Sequence, residues 1–171
     1  MEFPSMTKTW RNAPYAAIDS MRPELSVARK TVLVTGGGIG IGASTVYAFA
    51  KSGASSVAIL GRTESALKER KESIEREFPG CKVVYSVADI IKVDVNRAFE
   101  DIVAQTGLID IGVHNAVYMS ALTLMKDADA DEWWKAYEVN VLRSFNVISA
   151  FLKKFSSVKI QPAPTEPKLP N

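Results

Sequence analysis

Lys30-Thr31-Val32-Leu33-Val34-Thr35-Gly36-Gly37-Gly38-Ile39-Gly40-Ile41-Gly42 decides how the rest of the chain is read. A β-branched apolar run of strand type stops at a cluster of glycines, and a small-residue helical pattern over 43–51 follows at once. Strand, glycine turn and helix together present a helix N-terminus. Its unpaired N–H groups and the positive end of its macrodipole favour an anion such as a phosphate. Glycines suit the turn because it is tight, and because a Cβ would hold a pyrophosphate away from the backbone. The spacing Gly38-x-Gly40-x-x-Ala43 satisfies the general dinucleotide-binding pattern.

Composition narrows the classes open to the chain. Its 171 residues are 47% hydrophobic and 23% charged, which suits one globular domain with a real core. A net charge of +2 gives no ground for a nucleic-acid or acidic-membrane partner. Cys81 is the single cysteine, so an internal disulfide is excluded and a reducing compartment is expected. No apolar run approaches the roughly 18 residues of a membrane helix. Arg11, Asp19, Arg22 and Glu24 punctuate the region where a signal peptide would carry its apolar core. A cytoplasmic protein is the expectation.

Outward from the glycine turn, strand-like and helix-like stretches alternate. Residues 1–28, with Pro4, Pro14 and Pro23 and no clear period, are expected to form an extended arm lying on a domain that spans 29–155. Strands are expected at 30–35, 56–60, 82–87 and 108–113, and helices at 40–52, 64–78, 94–105 and 131–155. On the second helix the apolar stripe is Leu67, Ile74 and Phe78, and Glu72 with Arg76 forms an i,i+4 pair. The last helix carries one stripe of Trp134, Tyr137, Val141, Phe145, Ile148, Leu152 and Phe155. A second face holds Trp133, Ala136, Val147 and Phe151, so cover is expected on both sides. Four of the eight prolines fall at 162, 164, 167 and 170, and residues 156–171 are expected to be a disordered tail. The fold class is α/β, with a right-handed, doubly wound parallel sheet of Rossmann type about four strands deep.

The longer match Thr35-Gly36-x-x-x-Gly40-Ile41-Gly42 resembles the cofactor loop of the short-chain dehydrogenase/reductase family. That resemblance covers about 30–155 and assigns further positions, with Thr35, Gly36, Gly38, Gly40, Ile41 and Gly42 forming the cofactor loop. NAD-binding relatives hold the ribose 2′-OH with an acidic residue at the end of the second strand, where this chain has Gly61 followed by Arg62 and Thr63. Loss of the carboxylate and gain of a guanidinium suit a 2′-phosphate, which favours NADP(H) over NAD(H). Ile39 stands where NADP-preferring relatives often have another basic residue. Val87-Ala88-Asp89-Ile90 resembles the segment that borders the adenine, and Asp89 is either that contact or a polar strand-end residue. His114-Asn115-Ala116-Val117 resembles the family's Asn-Asn-Ala-Gly, so Asn115 and Ala116 are expected beside the cofactor. His114 has no Cys, Asp or His at ligand spacing and is expected to be structural, not metal-binding. Asn140 in Val139-Asn140-Val141 resembles the family's catalytic asparagine, whose backbone supports a water in a proton relay.

Relatives continue with a serine on a fifth strand and a Tyr-x-x-x-Lys on the next helix. Here 31 residues follow Asn140 and none supplies them. The one Tyr-x-x-x-Lys, Tyr47 to Lys51, falls in the helix after the glycine loop, where the tyrosine points away from the nicotinamide end. Two readings follow. One is a hydride-transferring oxidoreductase that acts on a carbonyl or alcohol only when another chain completes it. The other is a non-catalytic, truncated nucleotide-binding product, and a methyltransferase-type Rossmann domain is a distant third. The resemblance also implies a fold incomplete relative to the whole family domain. An uncovered fourth-strand edge and long helix would then offer a surface for a homo-oligomer.

Overall fold

β1 (Thr31–Thr35) is buried along its whole length and lies in the middle of the sheet. The computed structural model describes residues 8–9, 11, 15–89 and 95–155, with the backbone alone at 155. Among these residues the order of elements is β1, α1 (Gly40–Lys51), β2 (Ser56–Gly61), α2 (Glu64–Glu77), β3 (Lys82–Val87), α3 (Val95–Thr106), β4 (Ile111–His114), α4 (Ala130–Tyr137), a π-helical segment (Glu138–Arg143) and α5 (Ser144–Phe155). All pairings are parallel and the sheet order is β3-β2-β1-β4. The chain therefore steps outward from β1 to β3, then crosses back to lay β4 on the other side of β1. That reversal puts a crevice beyond the ends of β1 and β4. The Rossmann-type α/β sheet read from the sequence is the fold observed.

Alternation along the strands builds two cores, as a sheet covered on both faces requires. Val32, Val34, Val57, Ile59 and Val83 pack with Val46 of α1 and Leu67 and Ile74 of α2. Leu33, Ala58 and Leu60 face the other way and pack with Phe99 and Ile102 of α3 and Val147 of α5. The i,i+4 ion pair that forms on α2 is Lys71–Glu75 at 2.7 Å, with Lys71 Nζ also donating to Val83 O.

Most boundaries fall within a residue of the sequence reading, and the larger departures are at β4 and in the long helix. β4 begins at Ile111, not at 108, because Asp110 is drawn to the start of β1. Its Oδ2 accepts from Thr31 N at 2.8 Å and its Oδ1 pairs with Lys30 Nζ at 2.9 Å. Burial works against the Asp110 charge, but the Thr31 N–H and the Lys30 ammonium outweigh it and hold the carboxyl below the usual carboxylate range. β4 then continues to His114, which pairs with Thr35. Gly107, at φ 77°, closes α3 in the left-handed conformation that favours glycine. The long helix is interrupted by the π segment, and only one of its faces is covered. Val139, Val147 and Ala150 are buried, whereas Trp134, Val141, Phe145, Ile148 and Leu152 are exposed.

The described part of 1–28 forms two short 3-10 turns and lies on the C-terminal end of α1. Val27 N donates to Ser52 O, and Ser52 Oγ donates to Ser20 O at 2.8 Å. The expected start of α3 at Asp94 and the tail 156–171 lie outside the described residues. No helix among the described residues is long and apolar enough to cross a membrane.

Candidate nucleotide-binding cleft

The glycine loop 36–39 turns the chain from β1 into α1, and its geometry explains its composition. Gly36 sits at φ 68° and Gly40 at φ 57°, in the region L side chains rarely adopt. A Cβ at Gly42 would lie 2.1 Å from Gly36 O and 2.6 Å from Asn115 Nδ2, so α1 can approach the loop only with glycine there. Nothing protein-derived lies within 4 Å of a Cβ built at Gly40, which leaves the backbone open to an approaching group. Ile39 precedes α1 without a side-chain cap, and Ala43 N makes the first helical bond, to Ile39 O at 3.2 Å. The amides of the first turn are thus left for an anion.

This loop floors a cleft of about 340 Å³ across the C-terminal ends of the strands. Gly36, Gly38, Ile41 and Gly42 line it from the loop, Arg62 and Thr63 from the turn between β2 and α2, and Ala88 and Asp89 from the end of β3. Asn115, Ala116, Val117 and Tyr118 close it from the loop after β4. Thr35 stands beneath, with its Oγ1 accepting from Asn115 N and Ala116 N, each at 3.0 Å. Asn115 Nδ2 donates to Thr35 O at 3.1 Å, which ties the loop after β4 to the end of β1. Ile90 lies outside the described residues.

Arg62 and Asp89 are the charged residues of the lining. A Cβ at Gly61 would meet Leu67 Cδ2 at 3.1 Å and one at Gly38 would meet the same atom at 3.3 Å, so a buried leucine fills the space between the two glycines. The end of β2 therefore offers no room for a carboxylate side chain unless Leu67 shifts. Val117, 69% exposed, belongs to the cleft lining.

Asn140 is not part of the lining. Its Oδ1 accepts from Tyr118 N at 2.9 Å and its Nδ2 donates to Tyr118 O at 2.8 Å, so the side chain pins the loop after β4 to the π segment. Its backbone carbonyl accepts from Ser144 Oγ at 2.8 Å. Tyr118, followed at i+4 by Leu122 and not by a lysine, donates to Glu132 Oε1 and lies 4.6 Å beneath Lys135 Nζ. Tyr47 lies on the far side of α1, donating to Glu77 and stacking edge-on to Phe78.

His114 joins these parts. Its Nδ1 is 3.0 Å from Thr35 Oγ1 and its Nε2 is 2.8 Å from Ser144 Oγ. Burial pushes its pKa below the ordinary imidazole value. The unfolded chain then binds the proton more tightly, so the contribution of His114 to stability is complete above about pH 6.5 and declines as pH falls toward the folded pKa. Among the described residues no group of three His, Cys, Asp or Glu side chains could hold a metal ion. Ser144 was missed in the sequence, although its i+4 spacing from Asn140 was the available signal. Leu67, assigned to the core stripe, also shapes the cleft.

A glycine-floored cleft at the switch point of a parallel sheet defines a Rossmann-type dinucleotide-binding domain. The short chain dehydrogenase family model matches residues 30–160, and the chain belongs to that family of oxidoreductases. Human short-chain dehydrogenase/reductase 3 is 35% identical over 129 residues, which are 75% of this chain and 42% of that protein. An Escherichia coli CFT073 structure described as a short chain dehydrogenase complexed with NADPH is 26% identical. It superposes with a TM-score of 0.70 over 77% of this chain and 55% of that one. A short chain dehydrogenase from Salmonella enterica serovar Typhi CT18 gives 25% identity and a TM-score of 0.69, over 79% of this chain and 54% of that one. The chain thus spans about half the length of the relatives it matches.

Proposed function

We propose that this chain binds NADP(H) in the cleft, in preference to NAD(H), as the nucleotide-holding half of a short-chain dehydrogenase. The observation that carries the reading is the pairing of an open glycine loop with Gly61 and Arg62 at the end of β2. The loop amides of the first turn of α1 hold the pyrophosphate. Arg62, with Thr63 at the start of α2, holds the 2′-phosphate through charge-assisted hydrogen bonds. Asp89 and Ala88 border the adenine, and Asn115 and Ala116 border the ribose that leads to the nicotinamide. The bound cofactor supplies hydride exchange with a carbonyl or alcohol.

Turnover also needs a proton donor beside the substrate oxygen. Asn140 is the one member of the family's catalytic set in these residues. Tyr47 and Lys51 do not substitute, since Tyr47 is held by Glu77 away from the cleft. Substrate conversion therefore belongs to an assembly in which a further serine, tyrosine and lysine face Asn140. Nucleotide binding without turnover is the reading for the 171 residues by themselves.

The exposed stripe of α4 and α5, or the edge of β4 that no strand covers among the described residues, is assigned to a second copy of the chain. Burial of each large apolar side chain is worth about 1.5–3 kcal/mol, so the pair should persist at micromolar concentration. Phe145→Asp should shift sedimentation toward the monomer, and an unchanged dimer would refute the assignment.

The nucleotide reading is tested by titrating NADPH, NADH and 2′-phospho-ADP-ribose. NADPH and 2′-phospho-ADP-ribose should bind about equally, because nothing here grips nicotinamide. Arg62→Ala should weaken both by roughly tenfold or more, the scale of one charged hydrogen bond of about 1.5–3 kcal/mol, and leave NADH within about twofold. Equal loss for NADH would overturn the NADP preference.

A further inference from the structure

We propose that His114 is a positioning residue for nucleotide binding: as the neutral Nε2–H tautomer it links Thr35, beneath the glycine loop, to the Asn140 carbonyl through Ser144. The inference rests on the nucleotide reading of the cleft and adds a residue outside its lining.

The direction of every bond in the chain follows from counting donors. A threonine hydroxyl has one hydrogen and two acceptor sites. Asn115 N and Ala116 N both donate to Thr35 Oγ1, which uses its acceptor sites. The Thr35 hydrogen is therefore directed at His114 Nδ1, 3.0 Å away. Nδ1 is an acceptor, so the ring proton is on Nε2 and points at Ser144 Oγ, 2.8 Å away. The Ser144 hydrogen in turn points at Asn140 O at 2.8 Å. All the arrows run one way, from the end of β1 through the end of β4 into the π segment.

Protonation of His114 breaks this order. Nδ1 would then carry a hydrogen facing a hydroxyl that has no free acceptor site. Either Asn115 N or Ala116 N must give up Thr35, and both belong to the wall of the cleft. Among the described residues, the groups around the imidazole offer nothing to hold a cation. Leu33 and Thr35 of β1, Phe99 of α3, Val113 of β4, and Val147 and Phe151 of α5 line the adjoining space. Of the charged residues on the elements packed there, Arg143 pairs with Glu138 and Lys154 with Glu100, while Arg97, Asp101 and Lys153 are exposed to solvent. Nucleotide affinity and the neutral imidazole are therefore linked.

His114 is the only histidine of the chain, so its imidazole can be read without assignment. In a ¹⁵N-histidine-labelled sample at pH 8, NMR should show the Nε2–H tautomer; the Nδ1–H tautomer would overturn the proposal. NADPH affinity measured from pH 8 to pH 5 supplies the functional readout. Wild-type affinity should fall toward roughly tenfold per pH unit once His114 is protonated. His114→Asn can still accept from Thr35 but carries no titrating proton. It should bind a few-fold more weakly at pH 8 and show only the decline caused by the ligand's own 2′-phosphate, which titrates in both proteins. Parallel pH profiles for the two proteins would overturn the role of His114 and leave the nucleotide reading intact. No NADPH binding at pH 8 would overturn both. Should His114→Asn fail to fold, the tautomer and the wild-type profile with NADH, which lacks the 2′-phosphate, decide the matter.

Discussion

Gly42→Ala should abolish measurable NADPH binding and destabilise the fold by about 3 kcal/mol, the upper end for overpacking a tight contact. The new methyl would sit 2.1 Å from Gly36 O and 2.6 Å from Asn115 Nδ2. Neither neighbour can yield cheaply. Gly36 is fixed by the hydrogen bond its N–H donates to Leu60 O at 2.6 Å, and Asn115 is held on Thr35. Helix α1 must therefore lift off the loop, which moves the first-turn amides away from the phosphates by a distance comparable to a hydrogen bond's tolerance. Gly40→Ala is the informative comparison. Its methyl meets open space, so its cost is the strain of φ 57° at a non-glycine residue, about 1–2 kcal/mol. Urea denaturation and NADPH titration of the two variants check this. A Gly42→Ala protein that binds like wild type would show that the loop is not the phosphate cradle.

Phe99→Ala should be the most damaging core truncation, at about 3–5 kcal/mol by urea denaturation. Phe99 is fully buried where α3 meets the sheet, packed in the cluster that holds Leu33, Leu60, Val139 and Val147. With one face of the long helix uncovered, this cluster is the contact that keeps α5 on the sheet. A loss of that size is a large share of the 5–15 kcal/mol of an ordinary domain. A cost below about 1 kcal/mol would mean that the α3–α5 layer contributes little to folding.

The sheet and its glycine loop were legible because their signals are local. The run of residues 31–35 ends at a glycine cluster, and the next two apolar runs repeat the strand pattern, so these strands could be placed along the chain from local windows. The fourth strand was displaced because its start is set by Asp110 reaching Thr31, a contact between residues 79 apart that no local window contains. The π segment was not legible either, since an α period was assumed through the whole helix. Val139 and Val147 are eight residues apart, about 80° out of line at 3.6 residues per turn. Absorbing one residue in the π turn brings them within about 20°, and both are buried. Of the site, the residues on the glycine loop and at the strand ends could be placed from spacing. His114 and Ser144 could not be joined in advance, because their link runs across the sheet into a helix 30 residues later.

Leu67 has a consequence for how coenzyme choice can evolve in this chain. An acid introduced at position 61 first meets the Leu67 side chain, 3.1 Å from where the new Cβ would sit. The Leu67 methyl must yield by a few tenths of an ångström to admit it, and Leu67 is buried in the core, where a smaller residue is itself destabilising. What position 61 can carry is thus set by the packing of the core beneath the cleft.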